Sequence, residues 1–446
     1  MEALKTTMNP SGGVAFARES LTEPLGQNQD LFEAIVSSSN VAKAWKQVKA
    51  NQGVAGMDGV SVEEFPAQFR PQWEGIVSDL KAGRFRPTGV RQVAIPKPDG
   101  GQRLLGVPTV LDRLIQQAIL QQLTPLFDPL FSESSFGFRP NRGAHGAVKQ
   151  IEALAKQGYQ MAVDMDLEKF FDNVPHGLLM AEVAKQVKDK RVLHLIGLYL
   201  RAGVWVKGVF QPTDKGVPQG SPLSPLLANI LLDRLDKELE RRGHRFARYA
   251  DDLMLLVKSE RAAQRVMASL KRFLLQKLHL PVNEQKSKVA PLEECSFLGF
   301  NLKRGKIRWS EKTERKFKDR IRQITSRSRG CSMEKVLAEL RLYLRGWINY
   351  FGLSNYYRPI PGLDDWIRRR VRMGYWKQWK RPGTRIRNLL RLGAFRKQAV
   401  STGRSSKGYW RLSKTLATQS AMTLLWLEQQ GLLSLKTLWI SLAPLR

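Results

Sequence analysis

The chain has 446 residues, 42% of them hydrophobic, enough for two or three domains and a sizeable core. It carries 73 Lys and Arg against 40 Asp and Glu, a formal net charge of +33, which points to a polyanionic partner. No run of about 18 uncharged apolar residues argues for a membrane span, "MEALKTTMNPSGG" lacks the layout of a signal peptide, and two cysteines, Cys295 and Cys331, cannot build a disulfide framework, so a reducing cytosol is expected.

Residues 1 to about 50 begin polar and Gly-rich and turn helical from about Gln29 to Ala50. "GVAGMDGVSVEEF", Gly53 to Phe65, is a loop ending at a helix start, with Ser61 as N-cap and Glu64 three residues later. "RQVAIPKPDGGQRLLGVPTVLDRLIQQAILQQL" reads as strand, Pro-Asp-Gly-Gly turn, strand, then a helix from about Val110. "MAVDMDLEKFFDNV", Met161 to Val174, is a strand ending in acids. A Gly/Pro-rich loop, "KGVPQGSP", runs into an amphipathic helix over Pro222–Arg241. The apolar run Phe246 to Val257 reads as a strand, or as a hairpin about "YADD", before a helix near Glu260–Leu278. "CSFLGF" is a short strand, and the pattern beyond it is helical as far as "WKQWK". Around Arg381 to Gly408 the Gly/Ser/Arg composition predicts irregular structure. Strands mixed with helices suggest an α+β body.

The charge is segregated. From Asn301 to Arg446 there are 34 Lys and Arg against 8 Asp and Glu, so +26 of the net +33 lies in the last third. Eight of the eleven tryptophans lie there too. Aromatics among cations suit stacking on bases while Lys and Arg hold phosphates, although some of these tryptophans must be plain core.

Asp251 and Asp252 stand together inside an apolar run. At ~5 Å and an effective dielectric of ~20, two carboxylates repel by roughly 3 kcal/mol, about two pKa units. Either one is protonated or a cation sits between them. A bare Asp-Asp more often marks a turn, but Asp164 and Asp166 end a second strand. If that strand neighbours the 246–257 segment, carboxylates converge without nearby His or Cys. Such donors suit Mg²⁺ or Mn²⁺. Two ions about 3.5–4 Å apart would activate a hydroxyl and stabilise a leaving oxygen in phosphoryl transfer.

In order along the chain, "GVAGMDGVSVEEF", "IPKPDGGQRLLGVPTVLDRLIQQAI", "SFGFRPNRGAH", "DMDLEKFFDNV", "VPQGSPLSPLLANI", "RYADD" and "FLGF" resemble the blocks of reverse transcriptases, most closely those encoded by group II introns. "LRGWINYFG" and "NYYRPI" resemble the maturase region of the same family. The resemblance implies a right-hand polymerase of fingers, palm with antiparallel sheet and helical thumb, followed by a basic helical C-terminal region. It places an N-terminal extension at 1–50, fingers with the start of the palm at 51–160, and the palm with the acids at 161–300. The thumb and maturase region would occupy 301–380, and a basic DNA-binding region 381–446.

The resemblance also implies site residues. Asp166, rather than Asp164 two residues earlier on the same strand face, fits the first catalytic position, and Asp251 and Asp252 fit the other two. The Leu167 carbonyl would be a further ligand for two Mg²⁺ ions, with Mn²⁺ as a substitute. Phe171 matches the aromatic that excludes a 2′-hydroxyl. Lys97 and Arg103 match residues that hold the incoming triphosphate. Gln219 matches the residue near the nucleotide's sugar, and Lys286 the lysine near the triphosphate. Arg139 and Arg142 would face the template, although Phe136 and Phe138 could equally serve to pin their loop to the core. Trp347 and Tyr350 are expected to touch RNA.

The implied activity is RNA-directed DNA synthesis, with dNTPs, an RNA template and a DNA or RNA primer as substrates. Intron RNA, bound to assist splicing and retrohoming, and target DNA are the implied partners, with no membrane and with the bacterial cytosol or nucleoid as the setting. No Cys follows Cys331 and no His follows His279, so a His/Cys endonuclease of the kind many relatives carry at their C-terminus is not expected here. Two other functions compete. One is a splicing or RNA-folding cofactor with incidental polymerase activity. The other is a free-standing reverse transcriptase used in defence or DNA repair. Intact Asp166, Asp251, Asp252 and "PQG" speak against the first; intron sequence flanking the reading frame would decide the second.

Overall fold

The structure, a computed structural model, describes residues 31–96 and 100–442. The expected first helix is two, α1 (Leu31–Val36) and α2 (Ser38–Ala50), because Ser37 turns its hydroxyl to the Asn40 N–H and caps the second. Ser61 and Glu64 cap reciprocally. The Ser61 N–H donates to the Glu64 carboxylate at 3.0 Å and the Glu64 N–H to Ser61 Oγ at 3.2 Å. The short helices α3 (Phe65–Phe69) and α4 (Trp73–Lys81) follow.

Strands β1 (Val90–Pro96) and β2 (Gln102–Val107) pair antiparallel. Residues 97–99, Lys97 included, lie outside the described residues. Helix α5 (Val110–Phe127) starts at Thr109, whose side chain accepts from the Asp112 N–H. Helix α6 (Ala144–Lys156), strand β3 (Met161–Met165) and helices α7 (Phe170–Asn173), α8 (His176–Gln186) and α9 (Lys190–Leu200) come next. The hairpin β4 (Val204–Val206) and β5 (Val209–Gln211) joins the first sheet, whose order is β2-β1-β4-β5.

The second sheet explains the apolar run that holds the paired acids. After α10 (Ser224–Arg241), the chain forms β6 (Arg245–Tyr249), turns at Ala250 and Asp251, and returns as β7 (Asp252–Val257). No single strand spans 246–257, because Ala250 takes the left-handed conformation at φ +57°. Beyond α11 (Glu260–Phe273), β8 (Lys288–Pro291) completes an antiparallel sheet of order β6-β7-β3-β8. Both faces of its centre are covered. Leu253, Leu255 and Val257 join Val163 and Met165 in one core, and Met254 and Leu256 join Ala162 and Ala247 in another. Two buried faces are why the strand reads as continuously apolar rather than alternating.

"CSFLGF" is a tight loop rather than a strand. Phe297 and Phe300 exchange main-chain hydrogen bonds, and the hairpin β9 (Phe300–Lys303) and β10 (Lys306–Trp309) starts only at Phe300. Helices α12 (Glu311–Ile324), α13 (Met333–Phe351) and α14 (Pro359–Gln378) pack around Phe317, Leu340, Leu344, Trp347, Ile348 and Val371.

The 381–408 stretch is largely helical, against the expectation of irregular structure. It forms α15 (Pro382–Arg391) and α16 (Arg396–Arg404), and beyond it come α17 (Tyr409–Leu412), α18 (Leu416–Ala421), α19 (Leu424–Gln429) and α20 (Leu435–Ser441). Its apolar positions are sparse, but Leu389, Ala394, Ala399 and Leu412 all bury against Trp376 of α14. The Trp376 indole donates to Thr418 Oγ1 at 3.0 Å, and Arg372 donates twice to the Met422 carbonyl. Sheets with mostly flanking helices make the α+β architecture that the pattern predicts. No helix among the described residues is long and apolar enough to cross a membrane.

Removing the fully buried Trp376 ring opens the joint between α14 and the C-terminal helices. Trp376→Ala is expected to cost about 3–5 kcal/mol in urea unfolding, with amide exchange rising in 382–442 before the β3–β7 sheet is affected. Unchanged exchange in 382–442 would contradict this packing.

Candidate active site

The sheet brings the acids of two distant segments to one edge. Strands β3 and β7 are antiparallel neighbours with Met165 opposite Leu253 and Asp164 opposite Met254. One further step in that register sets Asp166, at the end of β3, across from Asp252, at the start of β7. Asp251 sits in the turn beside them. Asp166 is held by the chain that precedes β8: its N–H donates to Ser287 Oγ at 3.0 Å, and its carbonyl accepts from the Asn283 N–H at 2.9 Å. Its carboxylate lies 3.5 Å from Lys286 Nζ.

Electrostatics records the crowding. Burial raises Asp252 to about 6, and Asp251, Asp166 and Asp164 push it the same way while Lys286 opposes them. Asp252 opens to solvent on one side, which softens the effect. Burial also raises Asp251; its own N–H, Arg103 and Lys286 counter this, and Asp166 adds to it. Arg103 of β2 and Lys286 therefore both act on the acid turn from opposite ends of the sequence. Asp164 is raised to about 6 chiefly by burial; Lys288, its neighbour across β8, works against this and Asp166 reinforces it. The register thus gives the two acids of β3 different neighbours: Asp164 pairs with Met254 and Lys288, and Asp166 stands at the strand end beside the acid turn and Lys286.

All the donors at this edge are carboxylate oxygens, the set that suits a hard divalent cation. Among the described residues, no three His, Cys, Asp or Glu side chains stand close enough to share one metal ion. Leu167 buries its side chain in the core and pairs in a lone bridge with Val282, so its main-chain carbonyl is what it has to offer.

The loop that holds Gln219 is tied both to Phe171 and to β2. The Val217 N–H donates to the Phe171 carbonyl at 2.7 Å, and the Gly106 N–H of β2 donates to the Gln219 carbonyl at 2.8 Å. Gly220 is at φ +116°, and a Cβ there would stand 2.9 Å from the Gly106 oxygen. A glycine is needed for the loop to lie this close to β2.

The four residues expected to touch template or RNA are placed differently, and two of them, Arg139 and Trp347, are buried against that expectation. Arg139 is 7% exposed, its guanidinium spent on Asp128 and on the carbonyls of Asp128, Ser132 and Ser135. It pins its own loop. Trp347 is buried among Trp309, Phe317 and Phe351 and has no face free for a base. Tyr350 gives its hydroxyl to the Leu298 carbonyl, and its own carbonyl meets His145 Nε2 at 2.6 Å. These residues join α13 to the rest of the chain. Arg142 is partly exposed and pairs with Glu133.

A different group of cations does face open space. A cavity of about 540 Å³ between the α12–α13 connection and α14 is lined by Arg327, Arg370, Lys377 and Lys380, with no carboxylate. Burial, Arg322 and Arg327 all hold Arg370 below its usual pKa. Arg327 and Lys377 also approach the Tyr409 ring of α17, at 5.6 and 5.7 Å. Only the net charge of the region signalled this cluster in the sequence.

A sequence model for reverse transcriptase (RNA-dependent DNA polymerase) matches residues 95–302, and one for the maturase-specific domain of group II introns matches residues 314–393. The chain belongs to the group II intron reverse transcriptase and maturase family. It is 27% identical over 416 residues to the group II intron-encoded protein LtrA of Lactococcus lactis subsp. cremoris, covering 71% of this chain and 69% of that one. Protein YkfC of Escherichia coli (strain K12) is 28% identical over 362 residues, covering 72% and 94%. Among solved structures, a chain of the partial Cas6-RT-Cas1--Cas2 complex aligns with TM-score 0.37 and 25% identity, over 55% of this chain and 43% of that one. As a group II intron-type reverse transcriptase the protein is an RNA-directed DNA polymerase, and the polymerase match encloses the acid edge whole.

The two arginines of the "SFGFRPNRGAH" loop should separate in stability. Arg139→Ala leaves Asp128 and three carbonyls without their donor and is expected to cost about 3–5 kcal/mol. Arg142→Ala, paired with the exposed Glu133, should cost ~1 kcal/mol or less. Equal urea midpoints for the two variants would contradict this assignment.

Proposed function

We propose that the protein copies RNA into DNA at the edge formed by Asp166, Asp251 and Asp252, and that it binds group II intron RNA as a maturase to assist splicing and retrohoming. The observation that supports the first part is the register that sets Asp166 across from Asp252, with Asp251 in the adjoining turn and with Arg103 and Lys286 acting on that turn.

Asp166, Asp251, Asp252 and the Leu167 carbonyl would hold two divalent ions, Mg²⁺ by preference. When bound, such ions lower the pKa of the attacking 3′-hydroxyl and neutralise charge on the leaving pyrophosphate. The chain's own residues bind and orient. Arg103 of β2, Lys97 six residues earlier in the chain, and Lys286 would grip the triphosphate of the dNTP and offset the charge that develops on it. Phe171, steadied by the main-chain bond to Val217, would close the space that a ribose 2′-hydroxyl needs. Gln219 would meet the sugar. The raised pKa values of Asp251 and Asp252, owed first to burial and then to neighbouring acids, fit groups that cations would help to keep ionised.

The second part rests on the maturase-specific match and on the segregated positive charge. Arg327, Arg370, Lys377 and Lys380 around an acid-free cavity would hold phosphates of the primer–template or of intron RNA, and 381–446 would lie along target DNA. Such contacts position a nucleic acid without reading its bases. The work is assigned to the bacterial cytosol, where transcripts and DNA meet.

The test is extension of a DNA primer on an RNA template with Mg²⁺, wild type beside Asp251→Ala. Extension by the wild type, reduced to background by the substitution in a folded protein, is the expected result. A folded wild type that binds RNA and does not extend would overturn the polymerase reading in favour of a splicing cofactor. A second expectation concerns salt. With six to ten phosphates neutralised, RNA affinity should fall roughly 10³–10⁵-fold between 50 and 200 mM salt, and a flat response in a filter-binding titration would count against the phosphate-gripping surface.

A further inference from the structure

Beneath the acid turn lies a charged group that the reaction does not use directly. Arg248 of β6 is 1% exposed, and Asp236 and Asn229 of α10 are 0% exposed. The Arg248 guanidinium donates through Nε to both Asp236 oxygens, at 2.8 and 3.0 Å. It donates through Nη2 to Ser135 Oγ at 2.8 Å and again to Asp236. Through Nη1 it reaches Asn229 Oδ1 at 3.0 Å and the Ala250 carbonyl at 2.9 Å. Asn229 in turn donates to the Gly137 carbonyl at 2.8 Å.

The main chain tightens the same assembly. The Arg248 N–H donates to the Ser134 carbonyl and the Phe136 N–H to the Arg248 carbonyl, at 2.8 and 2.9 Å. A Cβ on Gly137 would come 2.3 Å from the Ala250 nitrogen, so only glycine lets the 134–137 loop lie against the turn. Above all this sits Ala250, in a left-handed conformation that L side chains rarely adopt. The two acids follow it directly.

A buried ion pair returns little net stability for the desolvation of its charges, and apolar residues of similar volume would commonly do as well. What an arginine offers here is direction, since its donors form a rigid planar fork. Asp236, Asn229 and Ser135 fix that fork from one helix and one loop. The remaining donor reaches the carbonyl of the one residue whose conformation aims the acids.

We propose that Arg248, locked by Asp236 and Asn229, is a positioning residue that holds Ala250 in its left-handed turn and thereby sets where the Asp251 and Asp252 carboxylates point. The proposal rests on the reading of those acids as catalytic. It also gives the "SFGF" loop a purpose: the loop braces the acid turn from below.

The test is steady-state extension on an RNA template, varying one dNTP, for wild type, Arg248→Lys, Asn229→Ala and Arg113→Lys. Each is assayed well below its own unfolding midpoint. Arg113→Lys is the control, a buried arginine of α5 whose guanidinium is spent on the Val54, Pro108 and Thr109 carbonyls, away from the turn and from the 134–137 loop. Arg248→Lys keeps the charge and loses the fork. It is expected to lower kcat at least tenfold with KM for the dNTP within twofold, while Arg113→Lys keeps kcat near wild type. If Arg248→Lys does not fold, Asn229→Ala, which removes one strut and no charge, should still lower kcat severalfold at unchanged KM. A kcat that follows only the folded fraction, or that falls equally in the Arg113→Lys control, would overturn the positioning role. A retained activity in Asp251→Ala would instead remove the catalytic reading, and the two failures are told apart by that variant alone.

Discussion

The pairing of β3 with β7 is the constraint on which the rest of the molecule depends. It places Asp166 beside Asp251 and Asp252 although more than eighty residues separate them, and a slip of one residue would turn every side chain of a strand to the opposite face. The slip is prevented by packing. Alternate residues of β7 enter two different cores, one built on α10 and α11 and the other on α6 and the Phe297–Phe300 loop. With both faces of the strand buried, the acids are fixed at the edge by apolar contacts made elsewhere in the sheet. Like charges are crowded together because the hydrophobic register leaves them no alternative, and Lys286 and Arg103 relieve part of the repulsion.

Loops that the sequence marks with glycine do a common job: they bring backbone up against backbone around this edge. Gly220 lets the Gln219 loop lie on β2, and Gly216 approaches the carbonyls of Phe171 and Asp172. Gly299, at φ +84°, fits beneath Phe351 of α13, where His145, Tyr350 and Phe300 also meet. The aromatic block "GWINYF" is therefore the seam between the maturase-region helices and the polymerase body, which accounts for its run of large side chains without calling on RNA.

The basic last third divides its labour by depth. Trp309, Trp347 and Trp376 are core, and the cations around them reach outward from the same helices. Trp410 is an exception at 37% exposed, with Arg369 stacked 3.8 Å from its ring centroid. Because Arg372 and Trp376 tie α14 to residues 418 and 422, the cations of the C-terminal helices are presented on a fixed surface next to the Arg370 cavity rather than on a loose polycation. Fixed charges hold a polyanion with less ordering cost than mobile ones.

The sequence by itself determined the family, the α+β composition and the segregation of charge, and it marked the paired acids as candidates. Each is carried by local chemistry: paired carboxylates in an apolar run, glycine and proline at turns, and lysine and arginine counts per segment. The reciprocal Ser61–Glu64 bonds just ahead of α3 and the start of α5 at Val110 were legible for the same reason, since such signals involve residues a few positions apart. Tertiary structure decided what depends on partners distant in the chain. It turned Arg139 and Trp347 inward, although their neighbours looked like a nucleic-acid surface, because burial is set by what packs against a residue and not by its own type. It made helices of residues 382–404, where a few small apolar side chains suffice once Trp376 supplies the surface they cover. It gave Asp164 and Asp166 different neighbours through the register with β7 and β8. It also joined Arg248 to Asp236 and Asn229, a contact that no spacing in the sequence announces, because it forms only when α10 lies across β6.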